Sequence, residues 1–494
     1  MKIIPVDVSA SVNVIFLPKK VAKDLGIIEH DRLVLKVKNY QIICVVDLIN
    51  GDKILVSKNV ADKLKLDGPF DAELEVLKKP LALNYVRKKL DGKKLSEEEI
   101  NEIIKAIVND ELSDVEKTYF VSACYCNGLS DDEIVNMTKA IVNNGKHITF
   151  DGIVVDKHCA GGIPGNRTTM IIVPIVAAAG LKIPKTSSRS ITSPAGTADV
   201  MEVLAKVDFD VDDLKKIVNK ANGCIVWGGG VNLAPADDKL IKIRQVLNLD
   251  PTGLLLVSIL AKKYAVGSKY VLIDLPVGET AKMSLKEAEN LADYFIKIGE
   301  MLGMKIKVII TDGSQPIGNG IGPALEAIDV LKVLMQFEDR PLDLEEKAVE
   351  MAGMIFEMVN LEKFGKKGKE LAEYILKSGL AYEKMKEIIK LQQGNVFEPK
   401  QIEEKLGKFV YVYRSKKKGK IRKIDNKKIA ELAKIAGNPF DKYAGIYLYK
   451  HLNDFVAFDE PLFKVYSNSE LKIKEVEERI RFYENKNERI IEVK

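Results

Sequence analysis

Two stretches rich in hydrogen-bond donors lie close together in this chain. The first reads Asp156-Lys157-His158-Cys159-Ala160-Gly161-Gly162-Ile163-Pro164-Gly165-Asn166-Arg167-Thr168-Thr169, between apolar runs at 153–155 and 170–180. That order predicts a strand, a glycine-rich turn and a helix start. Backbone N–H groups and the positive helix end then converge on an anion, Lys157 adds a full charge, and Thr168 and Thr169 add hydroxyls. In the second stretch, 186–199, five hydroxyl residues (Ser187, Ser188, Ser190, Thr192, Ser193) and the guanidinium of Arg189 fall within seven positions. Two such loops imply two bound anions.

The elements that must hold these loops can be read from periodicity and composition. At 494 residues the chain exceeds one ordinary core, and 46% hydrophobic with 30% charged residues describes a soluble globular protein. Seventy-six basic residues against 71 acidic ones leave a net charge of +5 spread along the chain, which disfavours a nucleic-acid polymer as partner. Five cysteines, an odd number without metal-type spacing, predict a reduced cytoplasmic setting. Cys124 and Cys126, two apart on a helix, should point to different sides. No apolar run reaches membrane-spanning length, and no cluster has metal-ligand spacing, so no membrane partner, metal or cofactor is expected.

The expected fold class is an α/β multidomain protein. Residues 1–84 alternate in short runs and predict a β-rich N-terminal barrel. Residues 85–150 change to helical period, with Ser-x-x-Glu capping boxes at Ser96/Glu99, Ser113/Glu116 and Ser130/Glu133 marking three helix starts of a small all-helical domain. From Asp151, strand, turn and helix repeat through runs at 225–227, 271–274 and 308–311. This predicts a large α/β domain (151–234 plus 266–394) with a mostly parallel sheet. Residues 395–494 read as a C-terminal α+β domain.

This pair of loops resembles the signature of the thymidine/pyrimidine nucleoside phosphorylase family, Asp-Lys-His-Ser-Thr-Gly-Gly followed by Ser-Gly-Arg-Gly and Gly-Gly-Thr-x-Asp. Residues 232–237 (Asn-Leu-Ala-Pro-Ala-Asp) with Arg244, residues 258–263, residues 311–318 and residues 324–326 are similar to further blocks of that family. The likeness covers most of 85–480 and implies that about 235–265 returns to the helical domain. It also implies phosphorolysis, in which inorganic phosphate attacks C1′ of a ribosyl group as the nucleobase leaves, with phosphate and nucleotide the only small-molecule partners. Lys157, Ser187 and Thr197 match the family's phosphate-binding residues, while Cys159 and Ala160 replace two of its hydroxyl residues. Thr168 or Thr169 is the candidate substitute. Ser258 and Lys262 match base-contacting positions. Arg244 and His158 match further family positions, although His158 could simply orient its turn.

The departures from the family pattern narrow the substrate. Where that family runs Ser-Gly-Arg-Gly-Leu-Gly-His, this chain has Ser187, Ser188, Arg189, Ser190, Ile191, Thr192 and Ser193, so hydroxyls replace its glycines, and the first loop gains Pro164, Asn166 and Arg167 beside Gly162. A neutral nucleoside gains nothing from such donors, whereas a 5′-phosphate satisfies them with charge-assisted hydrogen bonds. The alternative is that Ser190, Thr192 and Ser193 only form local side-chain turns. In these features the chain resembles the archaeal AMP phosphorylases, a subset of the family, which implies AMP and phosphate as substrates and adenine and ribose 1,5-bisphosphate as products, with CMP and UMP as further candidates. Asp250 is then the candidate acid that protonates the base, although Asp250-Pro251 equally reads as a helix N-cap followed by proline. Lys282 replaces an apolar family residue and is a further candidate contact. An ordinary thymidine or pyrimidine nucleoside phosphorylase, an anthranilate-type phosphoribosyltransferase and a non-catalytic nucleotide-binding scaffold are the competing readings. The resemblance implies a homodimer, and residues 1–84, which lie outside it, are expected to join dimers into a larger homo-oligomer.

Overall fold

The computed structural model describes residues 1–494 except Ser11, Lys78, Ile191, Thr192, Leu247, Asn248 and Asp250. Three of the expected site residues, Ile191, Thr192 and Asp250, thus lie outside the described residues. The chain forms two compact units, Met1–Asn127 and Gly128–Lys494.

In the first unit, strands alternate as their sequence demands. Along Arg32–Val37 the side chains of Leu33, Leu35 and Val37 are buried, and the strand pairs antiparallel with Tyr40–Ile49. Seven strands form one mixed sheet whose edges are Phe70–Asp71 and Glu73–Val76. Only Ala72 separates those two strands in sequence, so the chain steps from one edge of the sheet to the other and gives it a near-barrel form. Helices Ala82–Leu90, Glu97–Val108 and Asp114–Asn127 complete the unit. Ser96 and Glu99 make the reciprocal capping bonds read from sequence, as do Ser113 and Glu116. Arg32 from the sheet bonds both oxygens of Glu116, at 2.8 and 3.0 Å, and so ties the sheet to these helices.

The second unit is organised by parallel strands. Lys305–Asp312, Tyr270–Val277 and Val155–Cys159 form one ladder, and Ile183–Ser187 and Gly223–Trp227 another, all parallel. A parallel bridge between Val154 and Lys182 joins the two. Every residue of helix Thr168–Ala178 up to Ala177 is buried, which explains its lack of a polar face. At the outer strand Gly223–Trp227, the buried side chain of Gln392 stands where a neighbouring strand would be. Its carbonyl accepts from the Ile225 N–H at 2.9 Å, and its amide donates to the carbonyls of Ile225 and Lys206, both at 2.8 Å.

Helix Asp131–Asn143, which starts at the Ser130/Glu133 capping box, packs against Pro235–Val246 and Thr252–Ala265. After residue 395, three strands that join Gly320–Ile321 in a four-stranded antiparallel sheet, and a second, three-stranded antiparallel sheet, accompany helices Asn426–Ala436 and Glu470–Asn485 around one apolar core, an α+β arrangement. All five cysteines are free; Cys124 is buried and Cys126 exposed, as two positions apart on a helix require. Among the described residues no helix is long and apolar enough to cross a membrane.

Candidate active site

The first donor-rich stretch begins later than its sequence suggests. Asp156 to Cys159 do not open a turn but continue the strand, paired in register with Tyr270–Val277 up to Cys159 opposite Asp274. The competing influence is the parallel ladder, which extends the strand beyond its apolar run. Strand alternation then sorts the motif: Lys157 and Cys159 face one side of the sheet, Asp156 and His158 the other.

On the first side, the buried Lys157 Nζ donates to Thr168 Oγ1 at 2.8 Å, across the turn at the start of the buried helix. The Thr168 hydroxyl bonds Asn166 Oδ1 at 3.1 Å, and the Asn166 amide contacts Cys159 Sγ at 3.3 Å. Burial holds Lys157 below the ordinary lysine range and pushes the Cys159 thiol up to about 11, so Cys159 stays a neutral thiol. Asp274 is held below the ordinary carboxylate range. Burial opposes its ionisation, but Lys157, Lys347 and the Thr311 hydroxyl at 2.6 Å outweigh it. On the other side, Asp156 meets Lys263 at 2.6 Å and Lys185 at 3.3 Å, all three almost fully buried. His158 is partly buried there, and burial with the nearby lysines drives its pKa well below the ordinary value, so the imidazole is neutral.

The turn itself is shaped by Gly162, whose φ of +62° falls in the left-handed region that favours glycine. Arg167 does not point to an open anion site. Its guanidinium is buried, paired with Glu326, and donates to the Ala195 carbonyl at 2.5 Å and Thr197 Oγ1 at 3.2 Å, so it ties the first loop to the second.

The second loop is held from within. Asp199 accepts the N–H groups of Ser190 at 2.6 Å and Gly196 at 2.8 Å, and a Cβ on Gly196 would lie 2.4 Å from the Ser188 carbonyl. Ser187 Oγ donates to the Val226 carbonyl at 3.1 Å and Ser193 Oγ to the Ala195 carbonyl at 3.0 Å, while Ser190 Oγ bonds the Ser193 carbonyl. The bonds of Ser190 and Ser193 are the local-turn bonds open to such residues. Arg189 presents both terminal nitrogens to Glu202, at 2.7 and 2.8 Å, lies 5.1 Å over the Trp227 ring, and Glu202 also meets Lys442 at 2.8 Å. The hydrogen bonds from Arg189 lower the Glu202 pKa to about 2.

The third group comes from the helices after Gly228–Val231. Ser258 Oγ and Lys262 Nζ both donate to Asp237 Oδ2, at 2.8 and 2.7 Å, and Arg244 approaches the other oxygen at 3.7 Å. Burial disfavours the charged form of Lys262, yet Asp237 and Asp238 outweigh it and raise its pKa. Lys262 Cε and the Ser187 carbonyl both flank Gly228, 4.0 and 3.7 Å from where a Cβ on that residue would sit. Lys282 is exposed, in the turn after strand Tyr270–Val277. Sequence reading missed Asp156, Lys185, Lys263, Asp274, Lys347 and Glu202. The signal available was that buried lysines need carboxylate partners. A cavity of about 530 Å³ opens beside the outer strand Lys305–Asp312, lined in part by Gln315, Glu350 and the two Asp274 partners Thr311 and Lys347.

Family models match the chain in three places. Residues 83–145 match the helical bundle domain of a glycosyl transferase family, residues 151–382 its α/β domain, and residues 420–483 the pyrimidine nucleoside phosphorylase C-terminal domain. An AMP phosphorylase of Methanocaldococcus jannaschii is 42% identical over 94% of this chain and 92% of its own length. Further relatives called AMP phosphorylase are 40–45% identical. A putative thymidine phosphorylase of Legionella pneumophila is 45% identical over 79% of this chain and 75% of its own. Among solved structures, anthranilate phosphoribosyltransferase from Thermus thermophilus superposes with a TM-score of 0.52 at 19% identity, covering 63% of this chain and 99% of that one, a likeness of fold. The chain belongs to the AMP phosphorylases of the pyrimidine nucleoside phosphorylase family.

Proposed function

We propose that this protein catalyses phosphorolysis of AMP to adenine and ribose 1,5-bisphosphate. The observation that carries the reading is the identity to an AMP phosphorylase over nearly the whole of both chains. An oxygen of inorganic phosphate forms a bond to C1′ while the bond from C1′ to N9 breaks and its electron pair passes to the base. Asp250 supplies a proton at N7, so that the base leaves neutral. Such a reaction asks the protein mainly to position two anions and stabilise charge.

In this reading Lys157, Thr168, Ser187 and Thr197 hold the inorganic phosphate. Gly162 and the second loop, from Ser188 to Ser193, take the 5′-phosphate through Arg189 and the loop hydroxyls. Ser258, Lys262 and Lys282 complete the nucleotide contacts, with His158 and Arg244 around them. Arg167 supports both loops from beneath, as its bonds to Glu326, Ala195 and Thr197 favour. CMP and UMP are further substrates, no cofactor takes part, and the setting is cytoplasmic. The chain divides into a β-rich N-terminal domain (1–84), a helical domain (85–150 with about 235–265), an α/β domain (151–234 with 266–394) and a C-terminal α+β domain (395–494). The barrel joins homodimers into a larger assembly.

The test is to incubate the protein with each nucleoside and each 5′-monophosphate, with and without phosphate, and to measure free base. Phosphate-dependent release of adenine from AMP, and not from adenosine, is expected. Faster release from thymidine or uridine than from any monophosphate would establish an ordinary nucleoside phosphorylase, the reading that the Legionella relative favours. AMP binding without release of base would leave a nucleotide-binding scaffold.

A further inference from the structure

Strand Val155–Cys159 carries a buried charge system on each face, and neither is neutral. On one face Lys347 Nζ lies 3.3 Å from the Asp274 carboxylate, and Lys157 acts on the same carboxylate as a nearby charge. On the other, Lys185 and Lys263 meet Asp156, which also accepts the N–H of Lys157 at 2.7 Å. Four lysines thus stand against two aspartates. Asp156 and Asp274 are fully buried, and of the lysines only Lys347 keeps as much as 13% of its side chain exposed. A cluster built only to hold the fold would close neutral, because each unpaired buried charge is strongly destabilising. With all four lysines protonated, the surplus of two positive charges equals the charge of a phosphate dianion.

We propose that Asp156, Lys185 and Lys263 are positioning residues for inorganic phosphate: they brace the Lys157 strand against helix Thr252–Ala265 and supply, from behind Lys157, part of the positive field that the bound dianion balances. The inference deepens the phosphorolysis reading and rests on it. Lys263 adjoins Lys262, which is bonded to Asp237, so neighbouring residues of one helix are tied to the phosphate strand and to the Ser258 cluster. Filling the phosphate site thereby fixes the helix that carries the base contacts. The groups facing Lys263 are Asp156 and His158 from its strand, Lys185 from Ile183–Ser187 and, beyond Asp156, Cys224 from Gly223–Trp227. Burial pushes the lysine down to about 7, and a nearby dianion reverses that shift, so phosphate binding near pH 7.5 takes up a proton.

The experiment is calorimetric binding of inorganic phosphate to the full-length protein, run in two buffers of different ionisation enthalpy, with AMP binding measured in parallel. It needs no turnover, so a protein that binds phosphate normally but releases no base would sink the phosphorolysis reading and leave this one decidable. Lys185→Met and Lys263→Met should each weaken phosphate binding about tenfold, through loss of a buried unit charge, while AMP binding changes less than about threefold. Lys263→Arg should restore most of the affinity, and Lys263→Met should abolish proton uptake. The double variant Asp156→Asn with Lys185→Met restores the net charge and should bind phosphate better than Lys185→Met alone. The proposal is overturned if phosphate and AMP weaken equally, or if the double variant binds phosphate no better than the single one. Circular dichroism identifies any variant that fails to fold, and the remaining variants then decide.

Discussion

Glu202 occupies the guanidinium that the 5′-phosphate of AMP is proposed to use, so the carboxylate should act as a built-in competitor. Glu202→Gln keeps the volume but removes the charge. The geometry of the pair is strong, with two parallel bonds of 2.7 and 2.8 Å, yet Arg189 and Glu202 keep 36% and 26% of their side chains exposed. Solvent screening brings an ion pair of that exposure to about 0.5–1 kcal/mol despite its bidentate form. A 5′-phosphate that must break the pair loses that amount, so Glu202→Gln should tighten AMP about two- to fivefold and leave adenosine unchanged. The readout is built in: Trp227 is the sole tryptophan of the chain, and the Arg189 guanidinium lies 5.1 Å from its ring. Titrating AMP and adenosine into phosphate-free protein while following tryptophan emission gives both affinities. Unchanged or weaker AMP binding, or an equal gain for adenosine, would refute competition between Glu202 and the 5′-phosphate.

Other expectations follow from the same geometry. Wild-type Trp227 emission should shift as acid breaks the Arg189–Glu202 pair: with a folded pKa of about 2 against an ordinary 4.5, its contribution is complete above about 4.5 and lost as pH falls through 2. Glu202→Gln should show no such step. Thr168→Val, which removes the hydroxyl that meets Lys157 at 2.8 Å in a fully buried setting, should raise the KM for phosphate about tenfold or more, because a hydrogen bond to a charged group is worth about 1.5–3 kcal/mol. An unchanged KM would remove Thr168 from the phosphate site. The N-cap of helix Thr252–Ala265 is Pro251, so Asp250→Asn, which keeps the side chain's volume, should fold normally yet lose most AMP phosphorolysis; near-normal turnover would remove Asp250 as the acid. Deleting residues 1–84 should give a smaller assembly by light scattering, with less heat resistance and detectable activity. An unchanged assembly size would remove the oligomerisation role.

Which features could be read from the sequence, and which could not, has a physical logic. The capping boxes at Ser96, Ser113 and Ser130 were legible because both partners lie three residues apart, so the signal is local. Four of the five parallel strands were legible as short apolar runs between turn residues, while Ile183–Ser187 was not. The exact start of the first loop was not, because ladder pairing with Tyr270–Val277, more than a hundred residues away, carries the strand on through Asp156-Lys157-His158-Cys159. For the same reason Arg167 looked like an anion ligand: its partner Glu326 is 159 positions along the chain. Lys185 lies in no motif, and Lys263 only ends a block matched for its neighbours Ser258 and Lys262. Their meaning comes from meeting on one carboxylate, Asp156, a relation created by folding alone.

The glutamine that stands in for a strand also bears on how this chain avoids its neighbours. Strand Gly223–Trp227 ends the parallel sheet on its side, and a free strand edge offers N–H and C=O groups to any other extended chain. Gln392 occupies two of those groups at Ile225 with one side chain. It comes from just past the end of helix Leu380–Leu391, so the edge is sealed only once that distant helix has docked. During synthesis the edge emerges long before its cover and is exposed for the time taken to make more than 150 further residues. A Gln392→Leu chain of similar volume would never close it. Its defect should therefore appear as self-association through strand pairing, in protein lost to aggregates during production, while the fraction that folds retains its substrate loops.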